Sequence, residues 1–323
     1  MAHVKPVQAV SPPGPWRLES RCLGALPVVN HFLDRLQLEA LLSRYVSHRN
    51  RRLRLPPATA LVLLLRNVLL GRAPVYALEE WATPFEPAQL RLTAAQVSLL
   101  NDDRVGRALD ELFDADRASL LTEVVVRAVQ EFRLDLQQLH NDSTTVTFSG
   151  DYRGATTETV RRGQRTLAIT HGHNKDHRPD LKQLLFILTI SADGAVPVHY
   201  RAADGNTTDD QTHIHTWDTL RGLLGRADFL YVADSKLCTR EALAHIASHG
   251  GRFLTVLPRT RREDRWFRDW VQTHTPNWQE VRRAPHPRRH DGPPDIYRVT
   301  DSPMRSAEGY RIVWVYSSQK AEQ

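Results

Sequence analysis

The stretch that decides the fold is DFLYVADSKLCTREAL, residues 228–243. Residues 229–232 form a short apolar run typical of a buried strand, and the run ends on Ala233 and an acid, Asp234. Thr239 then provides a helix start signal. The sequence therefore predicts a strand that ends in a carboxylate, at a point where burial of an unpaired charge would be costly.

The segments around this stretch predict a mixed sheet with helices packed on it. Strand patterns rich in apolar and β-branched residues cover 136–152, 181–194, 195–206 and 252–258, and helical patterns cover 207–224 and 239–249. We expect Thr207 or Thr208 to cap the first of these helices and Gly225 to end it. The resulting order, β-β-β-α-β-α-β, defines an α/β core and is that of the ribonuclease H-like fold.

The rest of the chain divides into three further parts. Residues 1–28 are a Pro-rich segment, and residues 29–133 show helical periodicity throughout, which predicts an all-helical N-terminal domain. Within it, Thr59 is expected to cap an apolar helix that stops at Gly71, and residues 114–116 to separate the last two helices. After the core at 134–260, residues 261–323 contain the strand candidates DIYRVT and YRIVWVYSS, which predict a partial β-rich insertion domain.

Composition narrows the class of protein. With 323 residues, 41% of them hydrophobic and 25% charged, the chain can build a globular core, and its net charge of +6 favours a polyanionic partner. Cys22 and Cys238 are far apart, which argues against a disulfide framework or zinc site and fits a reducing cytoplasm. The most apolar run, 60–70, is too short to span a bilayer and contains Arg66, so we expect a soluble cytoplasmic protein.

Two aspartates carry the chemistry that the sequence predicts. Asp142 lies in the first strand, LHNDSTTVTF, and Asp234 follows the fourth, each among apolar neighbours. A single aspartate at a strand end is more often a cap, turn residue or ion-pair partner. In this fold, however, the first strand lies beside the fourth, so the two carboxylates would meet and repel unless a cation sits between them. Such a pair suits Mg²⁺, or Mn²⁺, and phosphodiester displacement.

Several basic residues are candidate contacts for a nucleic-acid backbone. They lie near the predicted site or just after the fifth strand: Lys182, Lys236, Arg259, Arg261 and Arg262. The alternative, a solvated charge at a strand end or on an exposed face, has about equal weight. The stretches RTRREDRWFRDW and RRAPHPRRH also interleave basic and aromatic residues, which suits phosphate contact with base stacking.

Other reaction classes lack their motifs. His171, His173 and His177 alternate in THGHNKDHRPD, but no cysteine or suitably spaced carboxylate completes a tetrahedral metal set, so a polar loop is favoured over a metal cluster. The sequence contains no P-loop, no GxSxG and no GxGxxG after a strand. Nucleotide-driven and serine-hydrolase chemistry are therefore not predicted.

The ordered motifs NDSTTVTFSGDY, GHNKDHRPDLKQL, GNTTDDQTH, ADSKLCTREAL and GGRFLTVLPR resemble those of the DDE transposases of bacterial insertion sequences. The similarity is to the IS-four-like superfamily, in the type with a helical domain before the catalytic core, and covers residues 20–320. It implies that Asp142 and Asp234 are the first two acids of a metal-binding triad. It also implies Mg²⁺ as cofactor, the terminal inverted repeats and target DNA as partners, and a homodimer on DNA.

The third acid of that family is a glutamate on a helix that follows a β-rich insertion. Glu263 and Asp264 follow the fifth strand closely, while Glu308 and Glu322 lie in turn-like or terminal segments, and none resembles the glutamate helix. The expectation is therefore a C-terminally truncated transposase that lacks its third metal ligand. The alternative is a catalytically inactive DNA-binding remnant of a decayed element.

Overall fold

The structure, a computed structural model, describes residues 18–46, 53–172, 178–285 and 292–321. Seven α-helices come first within the described residues: α1 (Leu26–Arg35), α2 (Leu38–Tyr45), α3 (Pro57–Leu70), α4 (Leu78–Ala82), α5 (Ala94–Val97), α6 (Asp102–Asp114) and α7 (Arg117–Phe132). Five strands follow: β1 (Gln138–Phe148), β2 (Val160–Arg161), β3 (Gln164–Arg165), β4 (Lys182–Ser191) and β5 (Pro197–Ala203). Helices and strands then alternate as α8 (His213–Leu224), β6 (Leu230–Ala233), α9 (Arg240–Ser248) and β7 (Arg252–Thr255). The last elements are α10 (Arg262–Thr273), β8 (Gln279–Ala284), β9 (Asp295–Asp301), β10 (Val313–Ser317) and α11 (Ser318–Ala321).

The chain forms two compact units. Of the described residues, the first unit contains those up to 136, 148–170 and 191–200, and the second contains those of 137–147, 171–190 and from 201 onward. Among the described residues, no single helix is long and apolar enough to cross a membrane. The helical segments Pro57–Leu70 and Val75–Ala82 pass that test only as a pair, bent by 100°.

The first unit is built around α3, whose residues are mostly apolar and buried. α3 begins with a proline at its first position, where the missing N–H costs nothing, and ends at Gly71, as predicted. The predicted cap, Thr59, is wrong, because the helix begins at Pro57 and the Thr59 hydroxyl donates to Glu39 at 2.7 Å. The predicted break at 114–116 is confirmed: α6 ends at Asp114, and the Asp116 side chain caps α7.

A five-stranded mixed sheet, in the order β5-β4-β1-β6-β7, forms the core of the α/β part. β1 pairs in parallel with β6, and β6 in parallel with β7. The predicted order of elements is confirmed, with a two-stranded hairpin, β2–β3, added between the first two long strands. The first and fourth predicted strands correspond to β1 and β6, and the prediction that they lie next to each other is confirmed.

Helices α8 and α9 cover one face of this sheet. The ring of Trp217 on α8 is fully buried and stacks on Phe229, with ring centroids 6.1 Å apart, and Ile246 on α9 is also fully buried. α8 begins later than predicted, because residues 209–212 form a 3₁₀ turn and neither Thr207 nor Thr208 caps the helix. The predicted stop at Gly225 is confirmed, with φ 66° in the left-handed region that glycine accepts.

A three-stranded antiparallel sheet, β10-β9-β8, contains both strands predicted after residue 261. The sequence did not predict α10. Most of this helix lies in the stretch RTRREDRWFRDW, which was interpreted only as a mixture of basic and aromatic residues. On α10 the apolar Phe267 is buried, and its ring stacks on Trp314 of β10 with centroids 4.0 Å apart. α10 thus packs on this sheet through aromatic residues that recur at helical spacing.

Candidate active site

Asp142 and Asp234 lie side by side because of the register between β1 and β6. Asn141 is the Cα partner of Ala233 in this parallel pair, and each aspartate is the next residue of its strand segment. The two acids line one cavity of about 280 Å³. The cavity is lined by His140, Asn141, Asp142, Leu188, Ile190, Val232, Ala233 and Asp234.

Both aspartates are exposed, which corrects the expectation of a buried charge, and the apolar Leu188, Ile190 and Val232 line the same cavity. On β1, Asn141, Ser143 and Thr145 are buried, whereas Asp142 and the residues on its own face, Thr144 and Val146, are exposed. Burial of a lone charge is therefore not the cost at this site. The cost is the mutual repulsion of two neighbouring carboxylates, which a bound cation relieves.

Two hydrogen bonds hold Asp234, and a third caps the helix that follows it. Its Oδ1 accepts the Lys236 backbone N–H at 3.0 Å and so caps a short 3₁₀ turn, residues 235–237. Its carbonyl oxygen accepts the hydroxyl of Thr255 on β7 at 2.5 Å. The prediction that Thr239 caps the following helix is confirmed, because its Oγ1 accepts the Ala242 N–H at 3.2 Å. Asp234 is thus both a turn cap and a member of the acid pair.

Buried polar side chains contact β1 and β6 next to the two aspartates. Thr189 of β4 donates its hydroxyl to Oδ1 of Asn141 at 2.9 Å, and both side chains are buried. On β6, the hydroxyl of Tyr231 lies 3.1 Å from Nδ1 of His213. Burial raises the pKa of Tyr231, and the negative charge of Asp234 raises it further. Tyr231 therefore stays a neutral hydroxyl beneath the acid pair.

The donor set of the cavity fits a hard divalent cation. Two carboxylates that face solvent can share Mg²⁺ or Mn²⁺ with waters and substrate oxygens. In the described ranges, no group of three or more histidine, cysteine, aspartate or glutamate side chains is placed to hold a metal ion. A cation here would therefore rely on the aspartate pair for its protein ligands within this part of the chain.

The predicted basic contacts lie outside the cavity lining that the described residues form. Lys182 begins β4 and is half-buried, and Lys236 is exposed in the turn after Asp234. Arg259 and Arg262 are exposed between β7 and the first turn of α10. Their role as DNA contacts stays a prediction.

Arg261 is held in an ion-pair network instead of facing solvent. Its guanidinium donates to Glu308 at 2.6 Å and to Glu263 at 3.2 Å. This hydrogen bond lowers the pKa of Glu308 to about 2. Burial raises the pKa of Glu263, but the Ala307 N–H, at 2.8 Å, and Arg261 lower it more, so the net direction is downward.

Three of the acids considered as a third metal ligand are engaged in ion pairs. Glu263 and Glu308 are both committed to Arg261, and Asp264 is paired with Arg268 at 2.7 Å. Of the acids in the described part of the chain, only Asp142 and Asp234 line the cavity. Glu322, His173, His177 and residues 286–290 lie outside the described residues.

Of the eight residues that line the cavity, the sequence predicted only Asp142 and Asp234 as site residues. His140 lies two residues before Asp142 on the same face of β1, and its Nε2 is 2.8 Å from Nε2 of Gln138. The period of two along a strand could have identified it, because residues at i and i+2 share a face. The apolar walls, Leu188 and Ile190 of β4 and Val232 of β6, were inside predicted strands but not assigned to the site.

Part of the chain matches a known family model. The family model for a domain of unknown function (DUF4277) matches residues 18–126, about a third of the chain. No curated protein matches the chain. Solved structures with some similarity include the Mos1 transposase paired-end complex with left transposon end, at 11% identity and a TM-score of 0.24. That match covers 71% of this chain and 74% of the other.

Two further solved structures are similar at the same level. The piggyBac transposase synaptic complex with hairpin DNA has 9% identity and a TM-score of 0.35, and the match covers 88% of this chain and 51% of that one. The Mos1 strand transfer complex has 14% identity and a TM-score of 0.25, with 70% and 66% covered. These values assign neither a family nor an activity to the whole chain, whose established features are its mixed α/β fold and its paired aspartates.

Proposed function

We propose that the chain is a DDE-type DNA transposase of an insertion sequence, which acts on DNA phosphodiester bonds with Mg²⁺ or Mn²⁺. The observation that carries the proposal is the aspartate pair: two acids far apart in sequence lie at adjacent positions of two parallel strands and line one cavity. The net charge of +6 favours a polyanionic substrate. The ordered sequence motifs that resemble insertion-sequence transposases add independent support.

The residues of this chain would position the cation and supply the negative charge that holds it. Asp142 and Asp234 would hold the cation through carboxylate oxygens, and β1 and β6 fix their separation through the strand register. Oδ1 of Asp234 is used by its turn, while Oδ2 has no hydrogen bond within the described ranges. When bound, the cation would activate an attacking oxygen and stabilise the leaving oxygen of the phosphodiester.

The resemblance implies two chemical steps. In the first, water attacks phosphorus at an end of the element, and the bond from phosphorus to the 3′ oxygen breaks, which leaves a 3′-hydroxyl. In the second, this hydroxyl loses its proton and attacks a target phosphodiester, whose own 3′ oxygen leaves. The terminal inverted repeats as substrate and a homodimer on DNA are implied by resemblance.

The test is divalent-cation-dependent cleavage of DNA that carries the ends of the encoding element. We expect cleavage by the wild-type chain, and a loss of at least about a hundredfold in Asp142→Asn and Asp234→Asn, because each removes one charge of the pair. Asp228→Asn is the matched control, since Asp228 precedes the opposite end of β6 and pairs with Arg226 at 3.6 Å. Equal cleavage by Asp142→Asn and the control would sink the proposal.

A second candidate function is DNA binding without cleavage, as expected of a catalytically inactive remnant. The observation that favours it is that the described residues place only two acids at the cavity. Titration with Mn²⁺, followed by electron paramagnetic resonance, together with a gel-shift assay separates the two. DNA binding with neither Mn²⁺ binding nor cleavage would support the remnant.

A further inference from the structure

A buried side-chain amide ties β4 to the loop that follows β5. Gln183, the second residue of β4, is only 1% exposed, and its Nε2 donates to the carbonyl oxygen of Gly205 at 2.7 Å. Its Oε1 is buried with no hydrogen-bond partner in the described part of the chain. A buried glutamine is costly unless its amide is used, so this contact is a specific anchor between β4 and the loop that follows β5.

A close backbone approach reinforces the anchor. Gly172 lies in the segment before β4, and a Cβ built on it would overlap the Gly205 carbonyl oxygen and come 2.5 Å from Nε2 of Gln183. Only glycine fits at position 172 without displacing the loop. Gln183, Gly172 and Gly205 together are called the glutamine clamp below.

The clamped loop leads to the backbone of Asp234. After Gly205, a turn closes with the Thr207 N–H donating to the Asp204 carbonyl at 2.9 Å. The 3₁₀ turn at 209–212 then contacts the 3₁₀ turn at 235–237, which Asp234 caps with its carboxylate. The loop is also anchored at its far end, where His213 lies 3.1 Å from the Tyr231 hydroxyl of β6.

We propose that Gln183 is a positioning residue: through the glutamine clamp it fixes the loop at 204–212 against the turn that orients the Asp234 carboxylate for cation binding. The inference rests on the proposed function, because it assigns a role toward the cation held by Asp142 and Asp234. Gln183 lines no part of the cavity that the described residues form and acts through the loop alone. Groups that hydrogen-bond directly to a metal ligand typically change metal affinity or activity by ~10- to 100-fold when they are replaced. Gln183 acts through a loop, so its replacement is expected at the low end of that range.

Two variants perturb the clamp in different ways. Gln183→Met removes the donor to Gly205 and keeps the side-chain length, whereas Gly172→Ala keeps the amide and inserts a methyl group into the contact. Each has a matched control in the same compact unit. Ile187→Val trims a fully buried side chain on the same strand without touching the clamp. Gly222→Ala adds a methyl group on α8, where nothing lies within 4 Å.

The readouts are the Mn²⁺ dissociation constant, hydrogen exchange of the backbone at 204–212, and the melting temperature. We expect Gln183→Met and Gly172→Ala to weaken Mn²⁺ binding about tenfold and to accelerate exchange in the loop. Ile187→Val and Gly222→Ala should bind Mn²⁺ like the wild type, although Ile187→Val lowers the melting temperature. This pattern would show that the Mn²⁺ dissociation constant depends on the glutamine clamp and not on the general stability of the sheet.

Three results would overturn the inference. If exchange accelerates in Gln183→Met while Mn²⁺ affinity stays at the wild-type value, the clamp holds the loop but does not position the acid. If Ile187→Val weakens Mn²⁺ binding as much as Gln183→Met does, the effect is loss of stability. If the wild-type chain itself binds no Mn²⁺, the proposed function fails and the role of Gln183 fails with it. The wild-type titration therefore distinguishes the two failures.

Discussion

Replacement of Arg261 by methionine tests whether Arg261 stabilises the folded protein or contacts DNA. Arg261 was predicted from sequence to contact DNA, but its guanidinium lies between Glu308 and Glu263, at 2.6 and 3.2 Å. Glu263 is 1% exposed, so loss of Arg261 leaves a buried carboxylate without its counter-charge. Breaking a buried ion pair by removing one partner typically costs about 3–5 kcal/mol of folding free energy.

The pKa of Glu308 gives a separate measure of the same network. It falls from 4.5 to about 2 through the hydrogen bond from Arg261. Because one pKa unit corresponds to about 1.4 kcal/mol, the shift is linked to about 3 kcal/mol of stability at pH 7. A lowered carboxyl pKa stabilises the folded state above the unfolded pKa of 4.5, and this contribution is lost as the pH falls toward 2. It amounts to about 1.4 kcal/mol at pH 3 and about 0.4 kcal/mol at pH 2.

The assay is urea unfolding of the wild type and of Arg261→Met between pH 7 and pH 2, followed by tryptophan fluorescence. We expect Arg261→Met to lose at least about 3 kcal/mol at pH 7, and the difference from wild type to shrink by most of that amount at pH 2. Arg262→Met is the matched control, because the neighbouring Arg262 is exposed, and it should change stability by less than about 0.5 kcal/mol.

Three outcomes would refute this reasoning. A loss below about 1 kcal/mol in Arg261→Met at pH 7 would mean that the network contributes no more than a surface ion pair. A loss that stays constant down to pH 2 would mean that Glu308 is not the titrating partner. If Arg261→Met leaves stability unchanged but weakens DNA binding as much as Arg262→Met does, Arg261 is a DNA contact, as the sequence pattern suggested.

Two further predictions concern the packing of each unit. Thr189→Val removes the donor to Oδ1 of the buried Asn141 and should cost about 1–3 kcal/mol in urea unfolding; Thr189→Ser, which keeps the hydroxyl, should lose less, and equal losses would show that the hydrogen bond is unimportant. Gly71→Ala places a methyl group against the indole of Trp81 and should cost about 1–3 kcal/mol with a shift in tryptophan emission. Gly106→Ala, which has open space around it in α6, should instead stabilise by up to about 1 kcal/mol, and a similar loss in both variants would contradict the steric reasoning.

The order of elements and the meeting of the two acids could be predicted from the sequence. The β-branched strand pattern around Asp142 and the apolar run before Asp234, with a helical pattern preceding that run, are local features that the fold then uses directly. The exact start of α8 was not predicted from the sequence, and neither was α10. In α10, the spacing of Phe267 and Trp270 is helical, and the structure adds which side is buried, because Phe267 packs against Trp314.

The sequence by itself determined the class of fold, the first and fourth long strands and the two aspartates that they carry, because these depend on periodicity and on residues close together in the chain. Tertiary structure alone decided which charged groups are exposed and which are held in ion pairs. Asp142 is exposed in a cavity, and Arg261 is paired with Glu308, 47 positions away. Exposure and ion pairing depend on segments that are distant in sequence, so no local pattern can report them.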